Sequence, residues 1–207
     1  MDWSSLTLPA RDPAALMTET MDQWKQHHAA AASGDLWLFG YASLIWRPEI
    51  EATEQRAATV HGWHRALEMR SRINRGTPEC PGLVFALVAG GSCRGRVFRI
   101  PGDRMAEEIP RLWDREMPTG AYDPRWVACQ TARGPVQALA FTLSRSSPSY
   151  TGRLTEAQLV DVLSRACGRY GSTLDYVSET ARSLQACGIR DRGVMALMAL
   201  ARRHGLA

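Results

Sequence analysis

The middle of this chain alternates short apolar, β-branched and aromatic runs with turn residues, and a single amphipathic helix is set into that series. The runs at 36–41, 56–62, 64–71, 82–89, 93–100, 125–131 and 135–143 read as strands, with turn signals such as Gly90-Gly91 and Arg133-Gly134-Pro135 between them. A helix over about 103–117 interrupts them, and three more close the chain. These are 156–167, opened by the capping box Thr155-x-x-Gln158, then 173–187, ended by Gly188, and 192–204, opened by Asp191. Asp12-Pro13 starts a further helix over 13–32 that stops at Gly34. Strands around one inserted helix, with helices grouped at the end, predict an α+β fold whose small, mixed, mostly antiparallel sheet curls into a barrel.

A length of 207 residues without a Pro/Gly/Ser-rich linker predicts one domain over 1–207. Its 45% hydrophobic and 22% charged residues are those of a soluble globular protein, and no apolar run reaches the ~20 residues a bilayer span needs. Asp2, Arg11 and Asp12 stand where a secretory leader would be apolar, so a cytoplasmic protein is expected. The five cysteines, Cys80, Cys93, Cys129, Cys167 and Cys187, are odd in number and widely spaced, which fits a reducing compartment and neither a disulfide framework nor a zinc site. The net charge of +4 comes from scattered arginines, a pattern that favours anionic small molecules over nucleic acid as partners.

Two segments carry chemistry. In Phe39-Gly40-Tyr41-Ala42-Ser43-Leu44-Ile45-Trp46 an apolar strand breaks into small residues, exposing backbone N–H groups that can hold an anion or a developing oxyanion, with the Ser43 hydroxyl and Tyr41 phenol nearby. An ordinary strand exit has the same appearance. On the inserted helix, Met105, Ile109, Leu112, Trp113 and Glu116 share one face, so Glu116 is aimed with the core residues, in the last turn before Pro118. Burial and the carbonyl end of the helix dipole both oppose its ionisation and predict a pKa above the ordinary value of about 4.3. A proton shuttle near neutral pH needs that setting. The competing reading has Glu116 fraying outward or pairing with Arg115 or Arg111.

Other candidates are weaker. His61-x-x-His64 lies on a strand that sends positions three apart to opposite faces, which disfavours a metal site, and Cys80 or Cys93 has no spacing to His64 that marks a thiol nucleophile. The basic loop 70–82 holds a substrate carboxylate through Arg72 or Arg75, or is simply solvated. Tyr150 offers a phenol to a pocket or sits in a surface turn.

The order of five segments resembles the ChaC-like γ-glutamylcyclotransferases over roughly residues 36–200. They are Phe-Gly-Tyr-Ala-Ser-Leu-Ile-Trp at 39–46, Arg-Gly-Thr-Pro-Glu-Cys-Pro-Gly-Leu at 75–83, Arg-Glu-Met at 115–117 with Tyr122 downstream, Tyr-Thr-Gly-Arg-Leu at 150–154 and Gly-Ser-Thr-Leu-Asp-Tyr at 171–176. Residues 1–33 lie outside the resemblance as an N-terminal helical extension. The resemblance implies cleavage of glutathione to 5-oxoproline and cysteinylglycine with no metal or cofactor, Glu116 as the catalytic glutamate, a substrate loop at Tyr41, Ala42, Ser43 and Leu44, and Tyr150 lining the site; Arg75 falls in a motif of less defined role. The family loop has glycine where this chain has Ala42, so either Ala42 takes a negative φ or the loop has shifted. A non-catalytic binder of γ-glutamyl or acidic metabolites is the alternative that Ala42 supports. Oligomeric state is not legible.

Overall fold

The structure, a computed structural model, describes residues 11–28 and 34–207. Helix α1, Pro13–His28, opens where expected: the Asp12 carboxylate accepts from the Ala14 N–H at 2.9 Å. Residues 29–32 of the expected helix fall outside the described residues. Strand β1, Leu36–Gly40, leads into a short helix, α2, at Ser43–Trp46. Two long strands follow, β2 at Glu54–Ser71 and β3 at Gly82–Ile100. A 3-10 turn at Gly102–Arg104 enters helix α3, Met105–Glu116, and strands β4, Asp123–Thr131, and β5, Gly134–Thr142, complete the sheet. Helix α4, Glu156–Arg165, the two-residue strands β6, Cys167–Gly168, and β7, Gly171–Ser172, and helices α5, Thr173–Ala186, and α6, Arg192–Arg203, end the chain.

The sheet closes into a barrel in the order β1-β3-β2-β4-β5. Pairing is antiparallel throughout that order, and closure is made by the parallel contact of Trp37 and Leu38 with Ala138 and Leu139. The expected mixed, mostly antiparallel barrel is therefore present, but its strands are fewer and longer than the sequence suggests. Gly62 on β2 faces Gly90 and Gly91 on β3, all three at positive φ, between the pairs His61↔Ser92 and Trp63↔Ala89. One residue opposes two, which makes a bulge. The glycines bend the ladder instead of ending it, so four expected strands merge into two.

Alternation along β1 sends Leu36 and Leu38 into the core that receives Ile109, Leu112 and Trp113 of α3, and Phe39 into the core shared with Leu163, Val177, Leu184 and Leu200 of α4–α6. The helix caps hold as read: Thr155 and Gln158 form a capping box, and the Asp191 carboxylate accepts from the Val194 N–H. A second box, Ser172 with Asp175, opens α5. Just inside it, Thr173 Oγ1 accepts from the Leu83 N–H at 3.1 Å and donates to the Arg75 carbonyl at 3.2 Å, fastening the start of α5 to both ends of the 75–83 loop. That loop is closed so tightly that a Cβ on Gly82 would lie 2.0 Å from the Arg75 carbonyl oxygen, and only glycine fits.

Candidate active site

Because four residues of one α3 face are buried, the helix delivers Glu116 inward at its last turn. The helix stops there: Met117 leaves the α region, Pro118 follows, and Gly120 turns at positive φ. Glu116 borders a cavity of about 380 Å³ whose other walls come from α2, the 71–75 segment, the 118–122 turn and α5. Its carboxylate is 13% exposed and forms an ion pair with Arg115, Nε to Oε1, at 3.1 Å. Burial pushes its pKa above the ordinary carboxylate value, with Glu49 adding to the rise and Arg115 opposing it. The two readings of Glu116 thus meet, since it pairs with an arginine and stays inward.

Three buried phenols surround it. Tyr41 donates to the Phe141 carbonyl at 2.8 Å, Tyr122 donates to the Phe85 carbonyl at 3.4 Å, and the Tyr176 oxygen accepts from the Phe85 N–H at 3.2 Å. Desolvation lifts the pKa of all three, and the Glu116 charge lifts each further. All three are held neutral to higher pH than an ordinary phenol, and Glu116 is the carboxylate beside them. Tyr41 is fixed by more than its own phenol. The fully buried Arg65 donates through Nε to the Tyr41 carbonyl, through Nη2 to the Arg94 carbonyl at 2.6 Å, and pairs through Nη1 with Asp191 at the start of α6.

The 41–44 loop, expected to supply donors, runs into the α2 turn. Ser43 and Leu44 are its first two residues, whose N–H groups have no carbonyl one turn back, and Ser43 lines the cavity. Ala42 has a negative φ, −142°, so it does not occupy the left-handed region that favours glycine. Leu44 is 4% exposed and its side chain serves the core. Arg75 lines the cavity beside Tyr176, with its guanidinium 5.1 Å from the ring centre and bonded to the Tyr170 carbonyl. Arg47, Arg70, Arg72 and Arg169 also border the space, giving it a cationic wall. Tyr150 stands apart from this lining: it bridges to Met69 on β2, and its phenol faces Glu68 and Arg145.

Tyr122 and Tyr176 line the cavity and were not singled out by sequence reasoning, although both lie in the segments that carried the resemblance. Burial pushes the thiols of Cys93 and Cys129 up to about 11 and about 12, which leaves neither a nucleophile. His64 Nδ1 is engaged with the Gly90 carbonyl at 2.9 Å.

A family model described as ChaC-like protein matches residues 36–204. The glutathione-specific γ-glutamylcyclotransferase of Escherichia coli K12 is 34% identical over 166 residues, covering 80% of this chain and 72% of that protein. Human glutathione-specific γ-glutamylcyclotransferase 1 is 30% identical over 158 residues, covering 74% and 71%. Among solved structures, a selenomethionine-labelled γ-glutamyl cyclotransferase specific to glutathione from yeast superposes with a TM-score of 0.75 at 19% identity, over 82% of this chain and 96% of that one, a likeness of fold.

Proposed function

The chain belongs to the ChaC-like family, and from that premise we propose that it is a glutathione-specific γ-glutamylcyclotransferase, a lyase that converts glutathione to 5-oxoproline and cysteinylglycine. The observation that carries this reading is the buried Glu116 carboxylate, the one carboxylate beside the phenol cluster, in one cavity with Ser43 at the start of α2.

The chemistry follows from the groups present. Glu116 takes a proton from the γ-glutamyl α-amine, whose nitrogen then attacks its own γ-amide carbonyl and closes a five-membered ring. The N–H groups of Ser43 and Leu44 stabilise the tetrahedral oxyanion, a contribution of roughly 2.7–4 kcal/mol per donor. When the original amide C–N bond breaks, the proton held by Glu116 passes to the departing cysteinyl nitrogen, and the carboxylate is restored. Glutathione brings two carboxylates, which suit a wall lined by Arg70, Arg72 and Arg75. No water nucleophile, thiol or metal takes part in these steps. Ala42, the feature that supported a non-catalytic binder, has a negative φ and withdraws that support. No helix among the described residues is long and apolar enough to cross a membrane, and a cytoplasmic location, where glutathione is kept reduced, belongs to the same proposal.

Incubation with glutathione should yield 5-oxoproline and no free glutamate, because the nucleophile is the substrate's own amine. N-acetylglutathione should be inert. Its hydrolysis would mean an amidase that uses water, and the cyclotransferase reading would fall.

A further inference from the structure

Arg115 has two of its nitrogens committed to the protein. Nη1 donates to the Arg47 carbonyl, to the Pro48 carbonyl at 3.1 Å and to Glu49 Oε2 at 3.0 Å, while Nε holds Glu116 Oε1 at 3.1 Å. Glu49 in turn pairs with Arg47 through its other oxygen, at 2.5 Å. Glu49 is also the one residue other than glycine with a positive φ, 51°, among the described residues. A backbone in that region persists only where its surroundings hold it, and here two arginines do.

Resting on the cyclotransferase reading above, we propose that Arg115 and Glu49 form a clamp that positions Glu116 and sets the pH at which it works. The segment 47–49 directly follows α2, so the clamp ties the carboxylate that moves the proton to the turn whose N–H groups face the reacting carbonyl. It fixes the distance between two halves of the site that lie far apart in sequence. An arginine meant for substrate would keep its donors for the cavity, whereas this one spends them on carbonyls and carboxylates of the chain.

The charges make the clamp adjustable. The groups that bear on Glu116 are Arg115 on its own helix, Glu49 on the facing loop, and the phenols of Tyr41, Tyr122 and Tyr176, with Arg75 behind Tyr176. Arg115 favours the ionised carboxylate and Glu49 disfavours it. Removing one or the other should therefore move the acid limb of the kcat/KM profile in opposite directions.

The test is the pH dependence of 5-oxoproline formation in Arg115→Met, Arg115→Lys and Glu49→Gln. Arg115→Met should lower kcat by about 10- to 100-fold with KM little changed, and carry the acid limb to higher pH. Arg115→Lys should bring the limb back toward that of the unaltered protein while kcat stays low, because an ammonium restores the charge and not the several anchors. Glu49→Gln should carry the limb to lower pH. Limbs that stay in place, or that move the same way in Arg115→Met and Glu49→Gln, would overturn the clamp, and so would a raised KM at unchanged kcat, which would make Arg115 a substrate ligand. Should the Arg115 variants fail to fold, Glu49→Gln decides alone, since that side chain is 45% exposed and an unshifted limb refutes the proposal. Activity retained by Glu116→Gln would instead refute the underlying reading, whatever the clamp variants do.

Discussion

Helix α3 carries two inward carboxylates in different surroundings. Glu108, near its start, is 1% exposed, has one oxygen without a hydrogen-bond partner, and lies 3.6 Å from an Arg111 side chain that is itself 60% exposed. Glu108 borders a cavity of about 430 Å³ that it shares with Glu49, Glu51 and Arg115, whereas Glu116, at the end and less buried, meets a paired arginine, three phenols and the cavity lined by Ser43. Burial is deeper at Glu108, while the phenols and the start of α2 gather around the cavity of Glu116. Depth alone therefore does not mark a catalytic acid; what marks it is a low-dielectric site that also has a route for the proton and donors aimed at the atom that will carry charge.

The difference is sharpest in turnover. Glu116→Gln should lower 5-oxoproline formation by about 10³-fold, since the amide keeps the shape and cannot accept the amine proton. Glu108→Gln should stay within about twofold of the unaltered protein, because it changes nothing at the reacting atoms. Comparable losses in the two variants would break the comparison.

The titration of Glu116 gives the next test. Glu116 has a raised pKa in the folded state, so the folded protein holds its proton over a range where the unfolded chain has lost it. Its contribution to stability is thus full below the unfolded value of about 4.3 and is lost as pH rises through the folded one. Glu116→Gln, which cannot ionise, should gain stability relative to the unaltered protein between about pH 4 and about pH 7, read from urea midpoints at the two values. Activity runs the other way, rising with pH as Glu116 becomes a base.

Smaller effects concern stability. Glu108→Met should be more stable by about 1 kcal/mol, as removal of a buried, half-satisfied carboxyl restores apolar packing between α3 and the sheet. A midpoint that falls would give Glu108 a partner role that its geometry does not suggest. The smallest change is Ala42→Gly, which should keep activity and lose about 0.4–1 kcal/mol through added freedom of the unfolded chain, now that φ is known to be negative. A raised midpoint at unchanged m-value would contradict it.

Sequence alone disclosed what rests on local chemistry. The α4 and α6 caps, the buried face of α3 and the inward aim of Glu116 follow from residue type and helical spacing, which need no knowledge of distant contacts. The continuity of β2 and β3 was hidden because Gly90-Gly91 signals a turn unless Gly62 is known to lie opposite. Glu108 was hidden because a charged residue at the margin of an apolar face reads as solvated. Tyr122 and Tyr176 could not be placed together without the barrel, since both reach the backbone of Phe85 from elements on either side of it. Tyr150 lies near the site in sequence order, but its bridge to Met69 turns the phenol toward Glu68 and Arg145.

The hydrogen bond from the Tyr41 phenol to the Phe141 carbonyl joins residues 100 positions apart, across the seam where β5 meets β1. Tyr176 arrives later still, on α5. A chain emerging from the ribosome therefore has Ser43 early and Glu116 midway, and the two share one cavity only when the seam is sewn and α5 has docked. In a refolding experiment, the first 5-oxoproline to appear would time the closing of the barrel.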